Sequence, residues 1–520
     1  VLPGLVMVAS LLLVACAQAA LDYPRSASWA LPRPQETRMG SVIAPHLLAW
    51  PARSGFCLLS NGPDALAIRL AMIDAAERTV DLQSFIIADD VVGNLLLDRM
   101  LAAAGRGVRV RLLVDDWNLT GQDRHLAGLD TQSGFEVRVY NPAGSPRGCP
   151  LTRPLHYLFG PRRVLNRMHN KAFIVDNTLA IVGGRNIAEG YFTASGDYNF
   201  GDIDLLAAGP AAVRVSEDFD EFWNDRLAVP IEAFVSRDHT DEYARETRRT
   251  LREACDAALA SPFAIYLRGS RWSHALRVGR LPLVWAEGEV LDDRPGKGLY
   301  PADESAPASM ISKLEDLLDE ARTEAILISP YLVPGAPGME FCHRLHRRGV
   351  AVRLLTNSLA STDEVAPQGA YEKYRVELLR CGVELYELRP QPHRRGKDRR
   401  DHAGSTAGAG LHAKCLIVDR RVVFIGSPNF DSRSVEMDTQ NGIVVRSAEL
   451  AEELAEVFSR RTSPGYAYRV TLREEDGGES LVWSDEVDGV PVHHTSDPLT
   501  GPWRRFTAWF LAFLLPEEWL

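Results

Sequence analysis

His169-Asn-Lys171-Ala-Phe-Ile-Val-Asp176, continued by Gly183-Gly184-Arg-Asn186, is written a second time as His412-Ala-Lys414-Cys-Leu-Ile-Val-Asp419 with Gly426-Ser427-Pro-Asn429. Every matched position is displaced by 243 residues, from His169 to His412 through to Asn186 and Asn429. A lone His-x-Lys on a strand is usually a solvated edge, and a lone Gly-x-x-Asn a turn. Two copies at unchanged spacing, in a chain with only 13 His among 520 residues, call for a shared cause. The repeat implies two half-sites facing one substrate. Neither copy brings carboxylates or cysteines at the spacing of a catalytic metal site, so no metal and no cofactor is expected.

The residue types suggest the chemistry. Each His and Lys opens a strand-like apolar run, and side chains alternate along a strand, so His169 and Lys171 share a face, as do His412 and Lys414. Asp-Asn and Asp-Arg follow as turn residues, and a second apolar strand leads to Gly-Gly or Gly-Ser beside an Asn. Small residues there would let backbone N–H groups approach an anion, making Gly184, Asn186, Ser427 and Asn429 candidate phosphate binders. Two imidazoles and two ammonium groups suit a phosphodiester. One His can attack phosphorus while the other protonates the leaving oxygen, and the lysines offset charge on the equatorial oxygens.

The duplication extends beyond the motifs. Arg78-Thr-Val-Asp-Leu-Gln-Ser-Phe85 and Gly107-Val-Arg-Val-Arg-Leu-Leu113 resemble Arg322-Thr-Glu-Ala-Ile-Leu-Ile-Ser329 and Gly349-Val-Ala-Val-Arg-Leu-Leu355, with helical patterns between each pair. Strand, helix, strand is a βαβ unit, so the predicted class is α/β: two tandem lobes, each a mixed sheet flanked by helices, sharing one active site. At about 150 residues per domain, the length accommodates this. The expected division is a signal segment over 1–20, a linker over 21–40, a first lobe over 41–242, a partly helical insert over 243–300, a second lobe over 301–470 and a tail over 471–520.

The motif pair resembles that of the phospholipase D superfamily, whose mark is a duplicated H-x-K-x4-D. Arg167-Met-His-Asn-Lys171, Val182-Gly-Gly-Arg-Asn-Ile187, Leu355-Thr-Asn-Ser-Leu359, Leu411-His-Ala-Lys414 and Pro516-Glu-Glu-Trp-Leu520 are similar to the bacterial cardiolipin synthase branch, of the type called C. The resemblance runs from about Ser41 to the C-terminus. It implies a catalytic set of His169, Lys171, Asp176, His412, Lys414 and Asp419, with the two Asp anchoring the motif rather than acting as acids. It also implies an acidic residue orienting each imidazole: Asp204 in the first half and, where a Glu is expected, Gln440 in the second. An amide accepts an imidazole N–H without adding charge, so one His should be less basic than the other. The implied reaction is phosphatidyl transfer through a phosphohistidine, with His169 as nucleophile and His412 as acid and base. Phosphatidylglycerol is the implied acceptor, and phosphatidylethanolamine or phosphatidylglycerol the donor.

Two other classes stay open. A phosphodiester hydrolase would use the same groups with water as acceptor, and a non-catalytic lipid binder would keep the pocket alone. A net charge of −11 and a pI near 5.7 speak against long nucleic acid, whose binding rests on phosphate neutralisation. The loop Arg394-Arg-Gly-Lys-Asp-Arg-Arg400 is either solvated surface or a grip on anionic headgroups. Seven Cys at scattered positions define no disulfide framework, Cys415 reads as a small buried residue, and oligomeric state is not legible.

Both ends carry membrane signals. Residues 1–21 lack any ionised side chain, and Leu13-Val-Ala-Cys16 matches a bacterial lipobox, whose Cys is acylated. Ala17-Gln-Ala19 offers the competing reading of a plain secretory cleavage site. The expected location is the cell envelope, on a periplasm-facing membrane surface. Trp503-Arg-Arg-Phe-Thr-Ala-Trp-Phe-Leu-Ala-Phe-Leu-Leu515 is too short to span roughly 30 Å of hydrocarbon. It suits either an interfacial helix, with Arg504 and Arg505 near lipid phosphate, or a helix docked on a lobe. The lipobox reading is tested by Cys16→Ala in fractionated cells. The wild type should carry acyl mass on its N-terminal Cys and the variant should lose membrane recovery. Equal recovery without acyl mass would favour the secretory reading.

Overall fold

The computed structural model describes residues 21–142, 161–260, 264, 270–299, 309–390, 408–475, 478–487 and 489–519. Cys16 and the basic loop at 394–400 lie outside them.

The first lobe is built on β1 (Ser54–Leu59), β2 (Thr79–Ser84), β3 (Arg109–Asp115), β4 (Phe135–Tyr140), β5 (Ala172–Val175), β6 (Leu179–Gly183), β7 (Tyr198–Gly201), β8 (Asp204–Ala208) and β9 (Ala228–Pro230). All but β7 join one sheet in the order β9-β4-β3-β2-β5-β6-β8-β1. Only β2, β3 and β4 run parallel, linked through helices such as Val91–Gly105. They are buried almost throughout, as strands covered on both faces must be.

After β10 (Val284–Asp292) the plan repeats: β11 (Glu324–Ile328), β12 (Ala351–Asn357), β13 (Glu384–Leu388), β14 (Gly408–Leu411), β15 (Cys415–Val418), β16 (Val422–Gly426) and β17 (Asn441–Arg446). The second sheet runs β13-β12-β11-β15-β16-β17, matching β4-β3-β2-β5-β6-β8 strand for strand. It continues past β13 through β18 (Ala467–Glu475), β19 (Gly478–Val487) and β20 (Val490–His494). Strands β19 and β20 and the end of β18, expected to be tail, thus belong to the second sheet.

The motif Asp residues are latches rather than site groups. Asp176 and Asn177 have φ of 53° and 50°, and Asp419 and Arg420 have 49° and 52°. Both central turn residues are left-handed, the geometry that joins tightly twisted hairpin strands. Asp176 accepts backbone N–H groups from Glu77, Arg78 and Thr79 at 2.8–3.0 Å. Asp419 accepts those of Arg322, Thr323 and Glu324 at 2.8–3.0 Å. Each carboxylate pins its hairpin to the start of the neighbouring parallel strand, at the end away from the imidazoles.

The lobes are joined by more than chain continuity. Strand β10, inside the expected insert, pairs with β1 through Val284, Trp285 and Ala286 and with β17 from Glu287 to Asp292. One continuous core then fills the space between the sheets. It takes Ile174, Leu205 and Phe219 from the first lobe and Ile417, Val423 and Leu454 from the second, all at 1% exposure or less. Two helices of the insert pack outside the first lobe, Thr240–Ala260 burying Leu251 and Ala258 there and Arg271–Val278 burying Trp272.

Residues 21–33 are not a free linker. Ser26 and Ser28 carbonyls accept from buried Arg138 and Arg111, and the Ala30 N–H donates to Asp220, strapping this segment along the first lobe. Because the central core is shared, Leu454→Ala should cost roughly 2–5 kcal/mol and lower the stability of both lobes together. Urea titration should show one shifted transition, whereas two separated transitions would mean that the lobes unfold independently.

Candidate active site

His169 and His412 line one cavity of about 350 Å³ between the lobes, with Asn186 and Asn429 beside them. Each enters on the residues just before β5 or β15, and each His is held from the opposite lobe. His169 Nδ1 lies 2.9 Å from Gln440 Oε1, and His412 Nδ1 lies 2.7 Å from Asp202 Oδ2. With Nδ1–H donated to these acceptors, Nε2 of each ring is left for the cavity. The lysines are equivalent: Lys171 Nζ donates to His169 O and Lys414 Nζ to His412 O, both at 2.6 Å.

The backbone repeats the exchange. His169 N–H donates to Thr439 O, Lys171 N–H to Asn441 Oδ1, and Asn441 Nδ2 back to Lys171 O. In the other direction, β14 runs parallel to β7, and the N–H groups of His412 and Ala413 converge on Gly201 O. Aromatic rings fix the imidazole planes: Phe85 packs edge-on to His169, and Tyr191 and Phe200 to His412.

Three expectations need correction. Asp204 is not the imidazole partner. Its buried carboxylate is spent on Arg69 at 2.8 Å and Arg185 at 3.2 Å, and Asp202, two residues earlier, reaches His412. Strand register explains this, since Gly183 opposes Asp204 while Gly426 opposes Gly442, so Gln440 corresponds to Asp202. Gly184 and Ser427 do not offer backbone donors, because their N–H groups bond Ile203 O and Asn441 O. Ser427 Oγ instead donates to Gln440 Oε1 at 2.7 Å. Arg504 and Arg505, read as lipid-phosphate contacts if the helix were interfacial, instead bond backbone carbonyls, Arg504 those of Leu359 and Thr362 and Arg505 those of Asp497 and Thr500.

Asn186 and Asn429 do reach the cavity. Asn186 Nδ2 donates to Tyr191 Oη at 2.9 Å, and the Oδ1 of each Asn is buried without a protein partner. Since a Tyr hydroxyl both donates and accepts, rotating the Asn186 amide keeps that bond and turns Nδ2 toward an anion. Sequence reasoning missed Asp202, Asn441, Tyr191 and Phe85. Only Asp202 carried a signal, as an acid next to Gly201 in the Gly-Asp-Ile-Asp run. Among the described residues no cluster of three His, Cys, Asp or Glu is arranged to hold a metal.

The family described as "Cardiolipin synthase, PLD-like domain" matches residues 70–223 and 314–462, one block in each lobe. The chain belongs to this family and is an enzyme of the phosphatidyltransferase type. It is 35% identical over 484 residues to cardiolipin synthase C of Escherichia coli (strain K12), covering 93% of this chain and 99% of that one. Cardiolipin synthase B of the same strain is 23% identical, over 78% of this chain and 80% of its own. Among solved structures, phosphatidylserine synthase of Haemophilus influenzae Rd KW20 superposes with a TM-score of 0.51 at 15% identity, covering 79% and 86% of the two chains, a likeness of fold.

Electrostatics set the resting protonation. Burial, then Lys171 and Lys414, drives His169 well below its usual value, only partly offset by Gln440. Burial and Lys414 lower His412 to about 4 despite Asp202. Burial lowers Lys414 to about 8 against the pull of Asp202, and burial with Lys414 lowers Lys171 well below its usual value. Burial opposes the Asp202 charge, but His412, Lys414 and Arg185 hold it well below the carboxylate range. Both imidazoles are therefore neutral near pH 7 in the free site. A bound anion favours their charged forms and those of the lysines, so anion binding should take up protons. Affinity should be highest at low pH and fall as pH rises through the raised values of the complex. Titration calorimetry with vanadate, in buffers of different ionisation enthalpy at pH 7–8, should show net proton uptake that shrinks in Asp202→Asn. Binding without proton linkage would refute this.

Proposed function

We propose that the enzyme makes cardiolipin-type phospholipid by transferring a phosphatidyl group onto the glycerol hydroxyl of phosphatidylglycerol. The observation that carries the reading is the unequal pairing of the two imidazoles across one cavity. His169, beside a neutral amide, stays unprotonated and nucleophilic. His412, beside a carboxylate, is the better proton carrier.

In the first step His412 carries on Nε2 the proton taken up when the anion binds; His169 Nε2 attacks phosphorus, the bond to the headgroup oxygen breaks, and His412 gives that oxygen this proton. In the second step neutral His412 removes the acceptor hydroxyl proton, that oxygen attacks phosphorus, and the N–P bond breaks to free His169. Lys171 and Lys414 offset charge on the equatorial oxygens, and the Asn186 and Asn429 amides help hold them. Phosphatidylethanolamine and phosphatidylglycerol both fit as donors. The names of the relatives support transfer rather than hydrolysis, and substrates with two acyl chains support a site of action at the envelope membrane surface, with the N-terminal Cys16 as its lipid address.

Vesicles of phosphatidylglycerol and phosphatidylethanolamine, with products read by mass in excess chelator, separate the outcomes. Cardiolipin supports transfer, and phosphatidic acid alone supports hydrolysis. His169→Ala and His412→Ala should each lower turnover by about 10³-fold or more while the fold survives. Phosphatidyl-p-nitrophenol assigns the roles, because its leaving group needs no proton. His412→Ala should release a burst of one p-nitrophenol per enzyme and stall, and His169→Ala should release none. The reverse pattern would exchange the two roles.

A further inference from the structure

The helix Pro502–Leu514 is seated on the helix Val365–Glu372 by its small residues. Ala508 and Ala512 are buried, and a Cβ on Gly369 would come within 2.1 Å of Ala508 O, so the contact depends on that glycine. The opposite stripe is large, aromatic and uncovered. Trp503 is 77% exposed, Trp509 60% and Phe513 78%, with Phe506, Phe510 and Leu514 exposed between them. These rings pack on one another: Trp503 and Trp509 lie tilted against Phe506, while Phe506 stacks on Phe510 and Trp509 on Phe513. An apolar stripe of this size is rare on a soluble surface and marks an interaction site.

Its position relative to the cavity is fixed. Leu515, the residue after the helix, and Trp519 line the cavity that holds both imidazoles. Arg504, on the inner face, bonds Leu359 O and Thr362 O, just before Glu364 and the helix Val365–Glu372, whose Pro367 forms part of the cavity wall together with Glu364. The segment after the helix is tied back as well, with Glu517 accepting from Lys373 and Tyr374 Oη. The aromatic stripe is therefore carried by a helix bonded to the mouth of the catalytic cavity. The helix is too short and one-sided to cross a bilayer, and among the described residues no helix is long and apolar enough to do so.

We propose that the stripe from Trp503 to Leu514 lies in the interfacial layer of a phospholipid bilayer and presses the mouth of the His169–His412 cavity onto the lipid surface. This rests on the reading of the substrate as a two-chain phospholipid. Two observations favour lipid over a second copy of the chain. The stripe is continuous with the cavity through Leu515 and Trp519, which line it beside both imidazoles. It also carries two Trp on an otherwise apolar face, the composition that settles at headgroup depth. Docking so shortens the path of a headgroup from the bilayer to the imidazoles, with both acyl chains left in the membrane.

The test uses the full chain carrying Cys16→Ala, so that acylation does not mask the contact, with and without the four changes Trp503→Ser, Phe506→Ser, Trp509→Ser and Phe513→Ser. Flotation with phosphatidylglycerol–phosphatidylethanolamine vesicles should fall at least tenfold in the fourfold variant, with its melting temperature within a few degrees of the parent. The ratio of turnover on vesicles to turnover on dispersed short-chain lipid should fall by a similar factor. Brominated lipid should quench the tryptophan fluorescence of the parent, a readout that needs no variant. Equal flotation of both proteins, or absence of quenching, would overturn the proposal. So would a parent dimer that the four changes convert to a monomer with vesicle binding intact. Flotation reads binding alone: if it is lost in the variant while the parent makes no cardiolipin, the docking surface stands and the transferase reading falls.

Discussion

Each imidazole in the shared cavity depends on an acceptor that the other lobe supplies. Gln440 holds His169 and Asp202 holds His412, so neither half contains both an imidazole and its own acceptor. These contacts tolerate displacements of only a few tenths of an ångström, which requires the lobes to be fixed relative to each other. The shared core between the sheets and the bridging strand β10 meet that requirement. The backbone exchanges flanking each His then set the ring positions, through Thr439 and Asn441 on one side and Gly201 on the other. The duplicated sequence thus encodes one site whose geometry is a property of the interface.

The same burial that fixes the rings makes the free site costly in charge. Two lysines and two histidines are at most 8% exposed, and Asp202 is bonded to one imidazole, that of His412. Desolvation then keeps the imidazoles neutral, at the expense of stability in the empty state. An anionic phosphodiester relieves that imbalance on entering. A pocket destabilised in this way selects for negative charge without a wide basic surface, in keeping with the net acidity of the chain.

The α/β class, the two-lobe duplication and the pair of His-x-Lys strands were legible because they rest on local patterns: apolar runs, turn residues and a fixed spacing. The positions of Asn186 and Asn429 on the cavity wall follow from the same repeat. What failed was whatever depended on register across strands. Asp202 and Asp204 differ only by position against β6, and the 243-residue interval that aligns the motifs does not continue to Gln440, which corresponds to Asp202. Gly184 and Ser427 looked like anion donors because the β-pairing that consumes their N–H groups comes from segments distant in sequence. Residues 21–33 looked like a linker because the strap is held by the side chains of Arg111, Arg138 and Asp220, none of which is local to it.

The one residue at which the two motif copies differ beside the imidazole partners is coupled to the difference between those partners. A Cβ on Gly184 would come within 2.3 Å of Asp202 Oδ1, so the half that uses a carboxylate has no room for a side chain there. In the other half Ser427 occupies that position, and its hydroxyl donates to Gln440 Oε1 while accepting from Asn441 N–H. Ser434 Oγ accepts from Gln440 Nε2 at 3.2 Å, so both ends of the amide are specified and Oε1 is turned to His169. A carboxylate needs no such help, because both of its oxygens accept. Gly with Asp and Ser with Gln are therefore two self-consistent solutions to one task. Exchanging only one member would leave either a steric clash or an amide free to turn its N–H₂ toward the imidazole. The asymmetry between the halves is built in at the level of hydrogen-bond direction, and it separates the basicities of two histidines that the repeat alone would have made equal.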